Sequence, residues 1–252
     1  MNRLFTRIFA VCLLGASSAT AADLGVTPIR QRPEPAALSW AGFYIGAHGG
    51  YGWGLLPRQD TTAPGVSEIK LRGWIAGGHA GYNWQYGMWV GGLELDLDAT
   101  GIKGSAASTT AALGTTTAQS ESRKLDYMGT GRARVGFLPW PGILLYGTGG
   151  LAWAQATTTN AFQSVSLIGT TSSVVAGAQT LFGVAGGAGV EASLGNFGMG
   201  AVLLRLEYLH YDFGGQGSST TTSSAFGPAF TTTSKTGHLT VDAVRGGASL
   251  KF

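Results

Sequence analysis

Val244-Arg245-Gly246-Gly247-Ala248-Ser249-Leu250-Lys251-Phe252 is the run on which the fold turns. Apolar or small residues (Val244, Gly246, Ala248, Leu250, Phe252) alternate with polar ones (Arg245, Ser249, Lys251). Successive side chains of an extended strand point to opposite faces, so this pattern makes a strand with one greasy face and one wet face. The rest of the chain should then carry several more.

It does. From Trp40 onward Phe43, Ile45, Ala47, Gly49, Tyr51 and Trp53 share one face, and Tyr44, Gly46, His48, Gly50 and Gly52 the other. A second strand from about Arg72 sets Trp74, Ala76, Gly78, Ala80, Tyr82 and Trp84 against Gly77, His79, Gly81, Asn83 and Gln85. After a turn at Tyr86-Gly87-Met88, a third places Trp89, Gly91, Leu93, Leu95 and Leu97 opposite Glu94, Asp96 and Asp98. The fourth sets Leu125, Tyr127, Ala133, Val135 and Phe137 against Asp126, Thr130, Arg132 and Arg134. A turn at 138–142 opens a fifth over 143–154, whose facing the pattern leaves open. A sixth over 181–194 opposes Phe182, Val184 and Val190 to Glu191, and a seventh over 201–211 opposes Leu204, Leu206 and Tyr208 to Arg205 and Glu207. With the closing strand there are eight.

The connections alternate in length. Those near Gly87, Pro141 and Gly195 are short; those at 55–69, 100–122, 155–180 and 213–237 are long and crowded with Thr, Ser, Ala and Gly. Short turns on one side and long loops on the other are the arrangement of a transmembrane β-barrel. The expected fold is therefore all-β: an eight-stranded antiparallel transmembrane barrel with short periplasmic turns and long extracellular loops. A soluble sandwich shares the alternation but explains neither the aromatic strand ends nor the leader that precedes them.

That leader has Arg3 and Arg7 ahead of an apolar stretch over 8–14, then Ala19-Thr20-Ala21 as an A-x-A cleavage site. The stretch is well short of the roughly 20 apolar residues of a spanning helix. Cys12 lies inside it behind Val11, which does not suit a lipoprotein site. Residues 1–21 read as a secretory signal peptide, 22–39, with Pro28, Pro33 and Pro35, as a periplasmic lead-in, and 40–252 as the barrel. Losing the leader takes two charges from the formal +3, leaving +1, so there is no basic case for nucleic acid. It also removes the one cysteine, and with it any disulfide framework. Charged residues are 12% of the chain while Gly numbers 42, a composition that suits strands curved around a crowded lumen.

Several pieces resemble one family, the small porin-like outer-membrane β-barrels of the outer membrane immunogenic protein type, related in barrel to OmpA. They are Trp40-Ala41-Gly42-Phe43-Tyr44-Ile45-Gly46, Gly81-Tyr82-Asn83-Trp84-Gln85, Gly187-Ala188-Gly189-Val190-Glu191, Leu204-Arg205-Leu206-Glu207-Tyr208 and the closing strand, which together span the mature chain. The resemblance implies a multi-pass protein of the cell outer membrane, surrounded by outer-membrane lipid and lipopolysaccharide. It gives Phe252 the role of assembly signal, read by the barrel assembly machinery through the terminal strand. With nothing after Phe252, no peptidoglycan-binding domain carries over from OmpA. The expected function is an integral barrel that stabilises the envelope and displays surface loops. The alternatives are a narrow passive channel for ions or small solutes, or a surface protein that binds haem or another small ligand.

Gly187-x-Gly189-x-x-Ala192 imitates a dinucleotide fingerprint, but that chemistry needs a helix N-terminus immediately afterwards. Here a turn at 193–196 is expected instead. More telling are the wet-face charges: Glu94, Asp96, Asp98, Asp126, Glu191 and Glu207 against Arg132, Arg134, Arg205, Arg245 and Lys251. A lumen just wide enough for side chains forces such charges to pair, because an unpaired buried ion costs several kcal/mol. They are expected to form a salt-bridged plug. His48 and His79 fall on the wet faces of adjacent strands, and a hairpin pairing Trp53 with Trp74 would set them opposite one another. Two imidazoles can ligate a transition metal or haem iron, yet two are few for a metal and haem is large for this bore. No cofactor or metal is assigned. His210 and Asp212 lie near the outer end of a strand, but no serine stands at a fixed short spacing from them, so the chain does not read as an enzyme.

Deleting Phe252 should reduce outer-membrane insertion in cells more than it reduces the stability of refolded protein. Comparing membrane-inserted yield with unfolding in detergent checks this, and normal insertion without Phe252 would refute it.

Overall fold

The computed structural model describes residues 39–59, 66–112, 114–167, 169–214, 217–222, 230–236 and 238–252. The expected signal peptide, 1–21, and all but the last residue of the expected lead-in, 22–39, lie outside them. Eleven strands follow in order: β1 (Gly42–Gln59), β2 (Val66–Tyr86), β3 (Trp89–Thr100), β4 (Lys103–Ala112), β5 (Thr115–Trp140), β6 (Ile143–Ser166), β7 (Gly169–Asn196), β8 (Ala201–Phe213), β9 (Gly217–Thr222), β10 (Phe230–Thr236) and β11 (Leu239–Lys251). Eight of them close a ring, β1-β2-β3-β5-β6-β7-β8-β11 and back to β1, with every pairing antiparallel. The eight-stranded barrel expected from the alternation is the fold.

The three short turns lie at one end. Pro141-Gly142 joins Trp140 to its partner Ile143, and Gly142 takes φ 91°, a left-handed conformation that Pro141 before it sets up. Gly87 does the same for Tyr86 and Trp89, at φ 59°. At the other end the long connections are themselves largely ladder. β4 continues β3 and pairs with β5 from Lys103 to Ala112; β6 and β7 pair without a break out to Ser166 and Gly169. Reading by hydrophobic alternation stops where the membrane stops, because beyond it both faces meet water. The β-branched threonines there still favour strand.

Outside the ring, exposed Phe43, Trp84, Trp89 and Trp140 mark one rim, and Tyr51, Trp53, Trp74, Tyr127, Phe182 and Tyr208 the other. The lower belt packs edge to face, Phe43 on Tyr82 at 4.6 Å and Tyr82 on Trp84 at 4.9 Å. From Phe43 to Trp53 the strand climbs roughly 25 Å at about 3.3 Å per residue and a tilt near 40°, the height of an outer-membrane apolar band. Leu93, Leu95, Leu97, Val135, Leu151, Val184, Leu204 and Leu206 fill the exposed band between the belts.

The interior is layered. Trp40, Val90, Leu144, Tyr146 and Leu203 form an apolar floor at the short-turn end. At the opposite end Leu56, Ile69, Leu71, Ile75, Ile102, Leu125, Met128, Leu181, Leu209, Tyr211, Phe213 and Val241 form a larger apolar lid. This settles β6, whose Leu144, Tyr146, Ala152, Ala154 and Ala156 face inward. One expected facing is reversed. Leu125 points inward and Asp126 does not, because Asp126 is an extra residue between the pairs Leu125–Ala156 and Tyr127–Gln155. A bulge of this kind shifts the alternation by one.

Glycines on the inner wall make room for large neighbours. A Cβ at Gly81 would run into Tyr44 Oη and stand 2.6 Å from the Leu93 carbonyl, whereas at outward-facing Gly78 the nearest atom would be 3.4 Å away. Gly81→Val should therefore destabilise the barrel by about 1–3 kcal/mol, and Gly78→Val should leave it nearly unchanged. The check is heat-dependent mobility in detergent. Wild type and Gly78→Val should run folded until boiled, because a closed ring offers no free edge from which to unravel, and Gly81→Val should unfold at lower temperature.

Candidate functional site

Between the floor and the lid lies a layer of charge. Inward positions of β3 supply Glu94, Asp96 and Asp98; β5 supplies Arg132 and Arg134, β7 Glu191, β8 Arg205 and Glu207, and β11 Arg245. All nine are buried. Register brings them together before any side chain bends: Glu94 is the cross-strand partner of Arg132, Glu191 of Arg205 and Glu207 of Arg245.

Each guanidinium serves more than one carboxylate. Arg132 donates from Nη2 to Glu94 at 2.7 Å and Asp96 at 2.8 Å, and from Nη1 to Glu207 at 3.0 Å. Its Nε donates to Thr130 Oγ1 at 2.8 Å, and that hydroxyl donates on to Asp96 at 2.6 Å. Arg205 clamps Glu94 with both terminal nitrogens and donates from Nε to Glu191 at 2.9 Å. Arg245 joins Asp98 at 2.9 Å to Glu207 at 2.6 Å. Arg134 lies 2.9 Å from Glu191 as an ion pair out of hydrogen-bond alignment, donates to Tyr44 Oη at 3.1 Å, and stacks over the Tyr146 ring at 4.2 Å. Five carboxylates meet four guanidiniums, and hydroxyls meet part of the remaining acceptor demand. Tyr44 donates to Glu94 at 2.8 Å and Tyr146 to Glu207 at 3.1 Å.

The two histidines adjoin this layer. The hairpin register is two residues from the one expected: Trp53 pairs with Arg72 and Tyr51 with Trp74, so His48 lies opposite Gly77 and His79 opposite Gly46. The rings meet on the diagonal. His48 Nδ1 lies 2.9 Å from His79 Nδ1, His48 Nε2 2.5 Å from Asp98 Oδ1, and His79 Nε2 2.7 Å from Ser249 Oγ. With both imidazoles neutral, one proton assignment serves these three contacts: Ser249 donates to His79, His79 to His48, and His48 to Asp98. Arg245 Nη1, 3.1 Å from the same His48 Nε2, then directs its proton to Asp98 rather than to the ring. Among the described residues no group of three His, Cys, Asp or Glu side chains is arranged to hold a metal.

Two residues expected in the network lie outside it. Asp126, displaced by the bulge, pairs at the outer surface with Lys124 at 2.6 Å and accepts from Thr157 at 2.7 Å. Lys251 points inward near the floor, but its Nζ reaches the main-chain oxygen of Phe252 at 3.5 Å, and it pairs with no side-chain carboxylate among the described residues. At the outer rim His210 pairs with Asp242 at 2.7 Å rather than with Asp212, which meets His238 at 3.2 Å. Gly187 and Gly189 lie within β7, where a Cβ at Gly189 would stand 2.5 Å from Tyr146 Oη; residues 193–196 are the bulged end of that strand rather than a separate turn. Sequence reasoning missed Tyr146, Thr130 and Ser249 as members of the polar layer. Thr130 and Ser249 stood on wet faces among the charges, and Tyr146 was hidden by the glycine-rich strand around it.

The match to known proteins agrees with this architecture. Residues 9–252 match the family model described as outer membrane protein beta-barrel domain. The 31 kDa outer-membrane immunogenic proteins of Brucella melitensis and Brucella suis are each 30% identical over 217 residues, covering 81% of this chain and 85% of theirs. Among solved structures, Ail, the attachment invasion locus protein of Yersinia pestis, is 12% identical with a TM-score of 0.36, covering 84% of this chain and 99% of that one. Neisserial surface protein A is 15% identical with a TM-score of 0.37, covering 84% and 98%. A ring of eight strands, two aromatic belts and a family match over nearly the whole chain lead to one statement: this protein belongs to the outer membrane protein β-barrel family and resides in the outer membrane.

Proposed function

We propose that the protein is a closed scaffold of the outer membrane, which stabilises the envelope and displays strand-built surface extensions, and that it works without catalysis or cofactor. The observation that carries this reading is the layered lumen. Nine buried ionic side chains bind one another across the bore, with an apolar floor on one side and an apolar lid on the other. An ion entering that space would have to displace paired charges and shed its hydration among aliphatic side chains, which is the opposite of a conduction path.

Display is supported by strand length. A membrane-spanning strand needs about 9–11 residues, yet β5, β6 and β7 have 26, 24 and 28. Residues 169–182 of β7 pair with β6 alone, because the β8 partnership begins at Gly183. From 135 to 190 the sequence carries no charged residue, so this outer hairpin presents Thr, Ser, Ala, Gly and Val. Such a surface suits exposure to the medium and to other molecules, while the barrel beneath is surrounded by lipid and lipopolysaccharide. Insertion through the barrel assembly machinery, read from the final strand, belongs to the same proposal.

In planar bilayers the wild type should show no stable open pore. Arg132→Ala strips Glu94, Asp96 and Glu207 of a shared partner and should lower stability by about 3–5 kcal/mol, raise ion leakage, or both. Single-channel recording together with thermal unfolding in detergent checks this. A large, steady wild-type conductance would overturn the scaffold reading.

A further inference from the structure

The outer wall carries a second set of cations, arranged quite differently from the first. Arg72 on β2 is the cross-strand partner of Lys103 on β4, and Lys103 is the partner of Lys124 on β5. Direct partners in an antiparallel pair share a face with Cβ atoms about 5 Å apart, so the three form one row across three strands. All three are exposed, as is Lys70, two residues from Arg72 on the same face of β2. Like charges placed directly opposite each other repel. The lumen resolves the same problem with interleaved carboxylates, but here Lys124 alone has one, Asp126 at 2.6 Å. Lys70, Arg72 and Lys103 have no carboxylate in ion-pair range among the described residues, and β4 contains no acidic residue at all.

The height of the row says what compensates it. Arg72 pairs with Trp53 and stands two residues beyond Trp74 on the side away from the short turns. The row therefore lies at the outer edge of the upper aromatic belt, level with Trp53 in the ladder, and on the same lipid-facing side. Aromatic belts sit at the depth of lipid headgroups. One step further out, Ser105 and Ser122 are cross-strand partners on the same exposed face, two hydroxyl donors beside the cations.

We propose that Lys70, Arg72, Lys103 and Lys124 form a strip that binds the phosphate groups of the outer-leaflet glycolipid, with Ser105 and Ser122 donating to its sugar or phosphate oxygens. Phosphate oxygens supply the counter-charge that the strand register withholds, and Trp53, Trp74 and Tyr51 lie against the acyl chains below. The strip needs the barrel to be seated in its membrane but is independent of whether the lumen conducts.

The test reconstitutes the barrel in phosphatidylcholine vesicles doped with acceptor-labelled, bisphosphorylated lipid A, and reads energy transfer from the belt tryptophans. Wild type should enrich the phosphorylated lipid around itself, less so at high salt, and should not enrich a dephosphorylated version. K70Q/R72Q/K103Q should lose that enrichment by roughly a hundredfold, a factor of about five per charge, while the charge-keeping K70R/R72K/K103R retains most of it. The single variants K70Q, R72Q and K103Q, each expected to lose about fivefold, stand in if the triple variant does not fold, as judged by its mobility before boiling. Unchanged enrichment in folded neutral variants would overturn the proposal. So would equal competition by a soluble sulfated polysaccharide, which would make the strip a site for a soluble polyanion. Loss of the unboiled mobility shift in the wild type would instead count against the barrel itself.

Discussion

Charge buried inside a closed ring of eight strands is the constraint on which the rest of this molecule depends. The lumen is only as wide as the side chains that fill it. Nine ions placed there must find their partners among themselves, and each unmatched one costs several kcal/mol. Pairing of that kind is specific to register. Sliding one strand by a single residue would turn its inward charges toward lipid and leave the others without partners. The three direct pairs, Glu94 with Arg132, Glu191 with Arg205 and Glu207 with Arg245, therefore hold β3 against β5, β7 against β8 and β8 against β11. The network contributes less to net stability than its many contacts suggest. Its larger effect is to penalise every arrangement except this one.

The two apolar layers follow from the same constraint. An ion pair is stronger where water is excluded, and the floor at Leu144 and Leu203 and the lid from Leu56 to Val241 supply that exclusion. Glycines on the inner wall complete the arrangement by leaving volume for Tyr44, Tyr146 and His79, which reach across to the charged layer. A glycine-poor barrel of this width would have no space for such long polar side chains.

The features legible in the sequence are those that membrane and lumen impose strand by strand. Leu93, Leu95 and Leu97 against Glu94, Asp96 and Asp98 announce lipid on one side and a polar interior on the other. Eight such segments with alternating connection lengths define the barrel. What was hidden has physical reasons. Alternation alone places Asp126 in the lumen, because a bulge leaves no mark on hydropathy. Alternation likewise places Lys251 with the network, because it gives a face but no height, and near the floor its Nζ is beyond reach of the network's carboxylates. The register of β1 and β2 differs by two residues from the symmetric pairing, because a two-residue slide leaves every side chain on its own face and so leaves the alternation unchanged. The outer ladders of β4 to β7 escaped notice because strands with water on both faces need no alternation. The lid is built from the upper ends of the barrel strands, and Leu56, Ile69, Ile102 and Phe213 fall in stretches that connection length alone marks as loops.

The chain uses its cations in two chemically different ways, and the choice of residue follows the difference. Every cation of the luminal network is arginine. A planar guanidinium presents five donors in fixed directions, so Arg132 can bond three carboxylates and a hydroxyl without turning. An ammonium there would offer three donors on a mobile stem and would carry a heavier dehydration cost. The row outside is mostly lysine, where a hydrated point charge on a long stem can follow a mobile headgroup at the membrane surface. Lys251 is an inward-facing lysine, and it falls outside the network, close to the rim. The division is the one expected if the inner charges must be matched once, in a fixed geometry, while the outer ones must meet partners that exchange with the surrounding lipid.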